Sequence, residues 1–454
     1  MRIKLMTGAA DVRVKEVIKA VLEANDEHRG VVCPDAYMQD LVAQVKPKKL
    51  REDMMVALEA RYKIRKANPE YSDAYLKELV KEVQPKMEDA LIKERTKVVA
   101  TAGMLSRAKG TVSDVYNECQ KFGTNKAVVR KIIGMGHESI TDHDYLVFAI
   151  EDVSPIIEQT IIEERIVSFT IKSRREANFS EVGYYVPEFR GKDGVVLEAN
   201  EELQKMYHEH MKYLFGSYSE LLEMGLKRED ARFILPYSFH SNIIMGCDAH
   251  VLKNLIVRFT KGKESGIAEL KEFGEKLYEI MEKYVPYYKE IIDAATIPES
   301  DLVKDFLDEY ITDTSYEVPE HVKLISSTKD PDREILITSL MKTYEYPYDK
   351  AEKMYEEIFA NNEEAKEKLM LTILKNGGKE FDQVNFRFNV PVSLAVLTHL
   401  TRHRTHNLMV PDFTPIRDLT KYRVPPTLND ETKAKFAEVY QRNQNLYLKL
   451  FLKQ

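Results

Sequence analysis

The pattern of apolar and polar positions along this chain occurs twice. Ile3-Lys4-Leu5-Met6-Thr7 and Val322-Lys323-Leu324-Ile325-Ser326 share one alternation, and each leads into a helical pattern, Val14 to Ala24 and Ile335 to Met341. Further on, Lys131-Ile132-Ile133-Gly134-Met135-Gly136 and Thr372-Ile373-Leu374-Lys375-Asn376-Gly377 each predict an amphipathic helix closed by glycine and followed by a strand. Those strands are Tyr145 to Ile150 and Val384 to Val390; in the second, Val384, Phe386, Phe388 and Val390 fall on one face. Next comes an apolar helix opened at proline, Pro155 to Arg165 and Pro391 to Arg404. Each copy then reaches a tyrosine-rich close, Tyr184-Tyr185-Val186-Pro187 and Tyr422-Arg423-Val424-Pro425. Conserved order at this length marks a duplicated unit.

The copies differ in extent. The first carries a surplus between about Asn25 and Gln120, charged helical patterns punctuated by Pro34, Pro47, Pro69 and Pro85, which predicts a helical insertion. It continues past Pro187 to about Tyr288, whereas the second copy stops at Gln454 within a helical pattern, Thr432 to Leu452, and is expected to be C-terminally incomplete. The expected fold is α+β: two related domains, each a twisted sheet with flanking helices. The first should occupy residues 1–295 with the insertion at about 26–120, and the second 320–454. Residues 296–319, with Pro298 and the acidic run Asp305-Phe306-Leu307-Asp308-Glu309, are expected to link them.

Composition narrows the class. The 454 residues are 44% apolar, enough for ordinary cores in two or three domains. Net charge is −7, from 74 acidic and 67 basic residues well mixed along the chain, so duplex nucleic acid is not an expected partner and local basic clusters matter more. Cys33, Cys119 and Cys247 are scattered and odd in number, which predicts neither a disulfide framework nor a thiolate metal site and points to the cytoplasm. No stretch approaches the roughly 20 apolar residues of a membrane span.

Candidate chemistry lies in four places. Arg402-His403-Arg404 follows Leu394-Ala395-Val396-Leu397 and concentrates positive charge at the end of an apolar segment, an arrangement that suits an anion or merely a solvated helix end. Gly136-His137-Glu138-Ser139-Ile140-Thr141-Asp142-His143 is a turn between helix and strand, rich in donors and acceptors. Ser173, Arg174 and Arg175 could grip a phosphate through guanidinium forks and a hydroxyl. Arg232, among the apolar residues of Glu229 to Pro236, needs an anion, and an internal carboxylate is the usual one. His399, His403 and His406 fall at i, i+4 and i+7, a rival zinc pattern without a nearby carboxylate, and no metal is assigned.

At these residues the chain resembles the flavin-dependent thymidylate synthase family, as a tandem, diverged duplicate of its domain. The family motif is Arg-His-Arg-x-x-Ser-x-Asn-Glu-x-Ser-x-Arg-Tyr. Glu163 to Glu176 is similar to it in register: Arg165, Ser168, Ser173 and Arg175 agree, while Glu163, Glu164, Thr170, Ile171 and Glu176 depart. Arg402-His403-Arg404 restores the head in the second copy, whose tail is lost at Asn407, Val410, Asp412 and Thr414. His137-Glu138-Ser139 with Asp142-His143, and Glu229 to Pro236, resemble two further family blocks.

The resemblance implies FAD bound by Arg402, His403, Arg404, His137, Ser139 and Arg165, and a pyrimidine nucleotide bound by Ser173, Arg174, Arg175 and Arg232. It implies methylation of C5 of dUMP or a related nucleotide, with NADPH and methylenetetrahydrofolate as co-substrates, in sites that lie between subunits. A homodimer with pseudo-tetrameric arrangement would complete such sites. No residue is assigned as catalytic; Ser173 has no general base beside it. Two readings stay open: composite sites that work, or a catalytically decayed homologue that binds a nucleotide, a flavin or a partner. Ile171 and Val410, where the motif has glutamate, argue for slow or absent dUMP methylation.

Overall fold

A computed structural model describes residues 1–7, 91–119, 122–191, 194–296, 302–313, 319–403, 407–411 and 422–451, together with residue 89. The described chain is α+β and divides into two compact units, Met1–Tyr310 with Thr398–Gln454, and Ile311–Leu397. The units therefore do not follow the two copies: the last part of the second copy clusters with the first.

The larger unit is built on a four-stranded antiparallel sheet. Its strands are β1 (Arg2–Thr7), β2 (Tyr145–Val153), β3 (Ser168–Ile171) and β4 (Ser241–Asp248), in the order β1-β2-β4-β3. Tyr145 lies opposite Asp248 and Val153 opposite Ser241, while Ser168 pairs with Gly246 and Ile171 with Ile243. Burial along β4 alternates from Ser241 to Met245, with Asn242 and Ile244 exposed, and the period-two pattern breaks only at Gly246, Cys247 and Asp248, which are all buried.

The part of the expected insertion that is described, 91–119, is helical as predicted but is no appendage. Val99, Ala100 and Cys119 belong to the same core as Leu146, Phe148 and Ile150 of β2. From the same segment, Arg95 donates to Asp144 at 2.7 Å, and Tyr287 donates to the other carboxylate oxygen of Asp144 at 2.7 Å. Most of the insertion, and the helix expected at Val14 to Ala24, lie outside the described residues.

Helix α1 (Pro155–Glu163) opens at Ser154, whose hydroxyl caps Ile156 N–H, with proline at the first helical position where its missing donor is harmless. Gly136, which follows the helix Phe122–Gly134, has φ +87°, and Gly377 in the second copy has φ +96°. These are the left-handed positions that end both helices as the repeat predicted.

A second apolar cluster in this unit surrounds the long helix α2 (Asn200–Glu223). Met211, Leu214, Phe215, Tyr218 and Leu221 form its buried stripe. Against it packs α3 (Asp430–Phe451) through Phe436 and Val439. Each helix follows the tyrosine-rich close of its own copy, so equivalent segments of the repeat pair with one another inside one chain. Polar contacts flank the seam: His210 Nε2 lies 3.0 Å from Asn443 Oδ1, and the Tyr213 hydroxyl donates to Glu438 at 2.8 Å.

The smaller unit holds Ile335, Leu336, Ile337 and Leu340 of the helix Pro331–Tyr344 against Ala351, Tyr355 and Ile373. Its sheet is the antiparallel pair Lys323–Ser327 and Phe386–Asn389. The face that Phe386 and Phe388 share is open, the two side chains being 53% and 52% exposed. In the first copy β4 pairs with β2; among the described residues the second copy shows no counterpart of β4. The segment expected as a linker contains a short helix, Leu302–Asp308.

Candidate functional site

The sheet sorts the candidate residues to two ends. β2 has nine residues, so its ends lie about 25 Å apart at roughly 3.3 Å per residue. Ser173, Arg174 and Arg175 follow β3 at the end marked by Val153 and Ser241. His137, Ser139 and Arg165 belong to the end marked by Tyr145 and Asp248, and all three are exposed.

At the first end, Lys172 N–H still reaches Asn242 O at 3.1 Å, and the chain then turns, with the Ser173 hydroxyl accepting from Arg175 N–H at 3.2 Å. The turn sends the two arginines apart. Arg174 points inward to Glu158 on α1, at 2.7 Å, with the side chains 10% and 1% exposed. Ser241 Oγ donates to the same carboxylate. A buried glutamate demands this complement, because removing a carboxylate from water without a paired charge costs several kcal/mol. Arg175 stays at the surface, 3.4 Å from Glu229.

Arg232 sits where the short helix Arg228–Ala231 gives way to a 3-10 turn. Its Nε donates to Glu229 O at 3.0 Å and its Nη1 faces His399 Nε2 at 3.3 Å. The expected internal carboxylate is therefore replaced by an imidazole and a carbonyl. His399 comes from the helix Leu394–Leu400, which stops before the arginines instead of running on to Arg404. Arg402 and His403 lie past its end, with Arg402 N–H bonded to His399 O at 3.2 Å. Arg404 and His406 lie outside the described residues. His399 Nε2 is turned to Arg232 and His403 is off the helix, so these two histidines do not share one helical face. Among the described residues no group of three His, Cys, Asp or Glu could hold a metal ion.

The result is a cluster of arginines with too few counterions among the described residues. Arg402 Nε is buried and has no hydrogen-bond partner among the described residues. Burial holds the Arg402 guanidinium below its ordinary value, Arg174 pushes the same way, and Glu158 opposes. Burial likewise lowers Arg232, helped by Arg174 and Arg175 and opposed by Glu229 and Asp230. Arginine does not shed its proton in proteins, so these shifts express desolvation and repulsion that an anion would relieve. Glu158, the counterion that organises the cluster, was not singled out from sequence; the available signal was a lone carboxylate among Ile156, Ile157, Ile161 and Ile162.

At the other end, His137 opens the 3-10 turn Glu138–His143, which packs on the helix Ala249–Lys261. Lys253 Nζ lies 2.7 Å and His250 Nε2 3.0 Å from Glu138, and His250 Nδ1 lies 3.4 Å from Asp142. Glu164, one of the two acids that replace the motif's Arg-His, is paired with Arg258. Its charge is thus answered within the chain.

A family model described as thymidylate synthase complementing protein matches residues 88–287 and 323–454. The chain belongs to this family. The match begins at residue 88, in keeping with the packing of 91–119 into the core. Among curated relatives, the flavin-dependent thymidylate synthase of Pyrococcus abyssi is 34% identical over 134 residues, 28% of this chain and 52% of that protein. The Pyrococcus furiosus enzyme of the same name is 32% identical over 159 residues, 34% of this chain and 61% of that one. The chain thus spans about half to three fifths of these relatives. A solved UMP/dUMP methylase from Streptomyces cacaoi has a TM-score of 0.38 and 22% identity, covering 44% of this chain and 90% of that one, a likeness too weak to carry an argument about the site. Among the described residues no helix is long and apolar enough to cross a membrane.

Proposed function

We propose that this member of the family binds a pyrimidine nucleoside monophosphate, with its phosphate at Arg174, Arg175, Arg232 and Arg402 and Ser173 beside them. The observation that carries this reading is the buried Arg402 Nε, which has no hydrogen-bond partner among the described residues and is brought from the second copy to the arginines of the first. Charge-assisted bonds from two guanidinium groups suit a phosphate dianion. The reaction class is methylation at C5 of dUMP or a related nucleotide, with methylenetetrahydrofolate and NADPH as co-substrates.

FAD is the cofactor that family membership implies, and the residues present fit it in part. The exposed His403 could hold a polar portion of the cofactor; Arg404, expected beside it, lies outside the described residues. His137, Ser139 and Arg165 lie at the far end of the same sheet, so a flavin touching both sets draws them from two chains. That supports a homodimer in which each chain supplies one half. When bound, FAD supplies hydride chemistry. The chain's own residues bind and orient: Arg232 and Arg402 fix the phosphate, and Glu158 fixes Arg174.

One observation favours a second reading, nucleotide binding without efficient methylation. Ile171 is buried in the core and pairs with Ile243 on β4, so no polar group from that motif position reaches a ligand. The deciding experiment is an absorbance spectrum of the purified protein for flavin bands, with calorimetric titration of dUMP. Flavin and dUMP bound by the wild type, and lost from Arg402→Ala with the fold intact, is the expected result. If neither binds, the composite-site reading is wrong.

A further inference from the structure

Arg232 and His399 meet in a way that constrains protonation. A guanidinium only donates, so the 3.3 Å approach of Arg232 Nη1 to His399 Nε2 requires an unprotonated Nε2 with the ring proton on Nδ1. The charged groups around His399 among the described residues bear on this. From the helix Arg228–Ala231 and the turn after it come Arg232, with Glu229 and Asp230 behind it; from the turn after β3 come Arg174 and Arg175; from α1 comes Glu158, bonded to Arg174; from its own segment comes Arg402. Burial, then Arg232, Arg402, Arg175 and Arg174, all hold the imidazole below its ordinary value. Burial and the four arginines thus favour the neutral ring.

We propose that His399 is the positioning residue of the phosphate site. Neutral, it holds Arg232 in place; when a dianion settles between Arg232 and Arg402, His399 takes a proton from solvent at Nε2. The Arg232 N–H that it had accepted turns to an anion oxygen, and the new imidazolium N–H donates to the same anion. The dianion supplies the negative charge that makes a third cation tolerable, so binding and protonation favour each other. This inference rests on the reading of the arginine cluster as a phosphate site.

Phosphate monoesters lose their own second charge near pH 6, which would mask the effect, so inorganic sulfate is the probe because it stays a dianion throughout. Calorimetry of the full-length protein from pH 6 to 8, in two buffers of different ionisation enthalpy, counts protons taken up per sulfate. The wild type should take up a proton on binding, and its affinity should rise as pH falls, by at most about tenfold per pH unit. His399→Gln offers an amide oxygen to Arg232 but cannot titrate; it should bind sulfate without pH dependence, whereas His399→Ala should bind more weakly at every pH. Sulfate binding to the wild type without proton uptake, or the same pH slope in His399→Gln, overturns the role of His399 and leaves the site reading standing. Failure of the wild type to bind sulfate and dUMP alike removes both. The proton count needs no variant, so a misfolded substitution does not leave the question open.

Discussion

Arg174 and Arg402 influence the same carboxylate, yet replacing each with methionine should move stability in opposite directions. Methionine keeps most of the apolar stem and removes the charge. Arg174 is 10% exposed and bonded at 2.7 Å to Glu158, itself 1% exposed. Arg174→Met leaves that carboxylate buried without its main partner, a change worth about 3–5 kcal/mol. Arg402 can partly replace the lost charge, since it already feels Glu158, so the lower end of that range is expected. Arg402→Met instead removes a desolvated donor that has no partner among the described residues. An unmet buried donor costs about 1–3 kcal/mol, and attraction to Glu158 offsets part of that here. The variant should therefore be as stable as the wild type or up to ~1 kcal/mol more stable, while nucleotide binding falls. Urea denaturation of ligand-free protein, followed by far-UV circular dichroism and by tyrosine fluorescence, measures both variants. A loss of more than about 1.5 kcal/mol in Arg402→Met would refute the reasoning, because it would show that the guanidinium is already satisfied without a ligand.

Three further outcomes are expected. Arg232→Ala should weaken dUMP binding by roughly ten- to a hundredfold, since a charge-assisted bond contributes about 1.5–3 kcal/mol; equal affinities in calorimetry would remove Arg232 from the site. Glu269, buried, accepts from Ser154 N–H at 2.7 Å and also from the Ser154 hydroxyl, and burial raises its pKa above the ordinary 4.5. Its contribution is thus full below pH 4.5 and is lost as pH rises through the folded value, so wild-type urea midpoints should fall relative to Glu269→Gln over that interval, and parallel curves would count against it. In an assay with FAD, NADPH, methylenetetrahydrofolate and dUMP, thymidylate should form slowly or not at all, because Ile171 is committed to the core; turnover like that of an ordinary family member would show that its position does not matter.

Much was readable from local pattern. The helices Pro155–Glu163, Pro331–Tyr344 and Asp430–Phe451 follow from apolar periodicity, and Gly136 and Gly377 mark helix ends because they supply a left-handed conformation that other residues resist. Arg174, Arg175, Arg232 and Arg402 were singled out by type and spacing alone, since charge among apolar residues needs an answer wherever the chain puts it. Which group answers which charge was decided by tertiary structure. Glu158 meets Arg174 only because α1 and the turn after β3 flank the same end of the sheet. His399 meets Arg232 across 167 positions of sequence. The register of β2, β4 and β3 separates His137, Ser139 and Arg165 from the arginine cluster, although Arg165 shares one motif with Ser173 and Arg175. The packing of α3 on α2 assigns the end of the second copy to the compact unit of the first. Local sequence carries periodicity and backbone preference, whereas the pairing of distant charges depends on long-range burial and strand register, to which nearest neighbours in the chain contribute little.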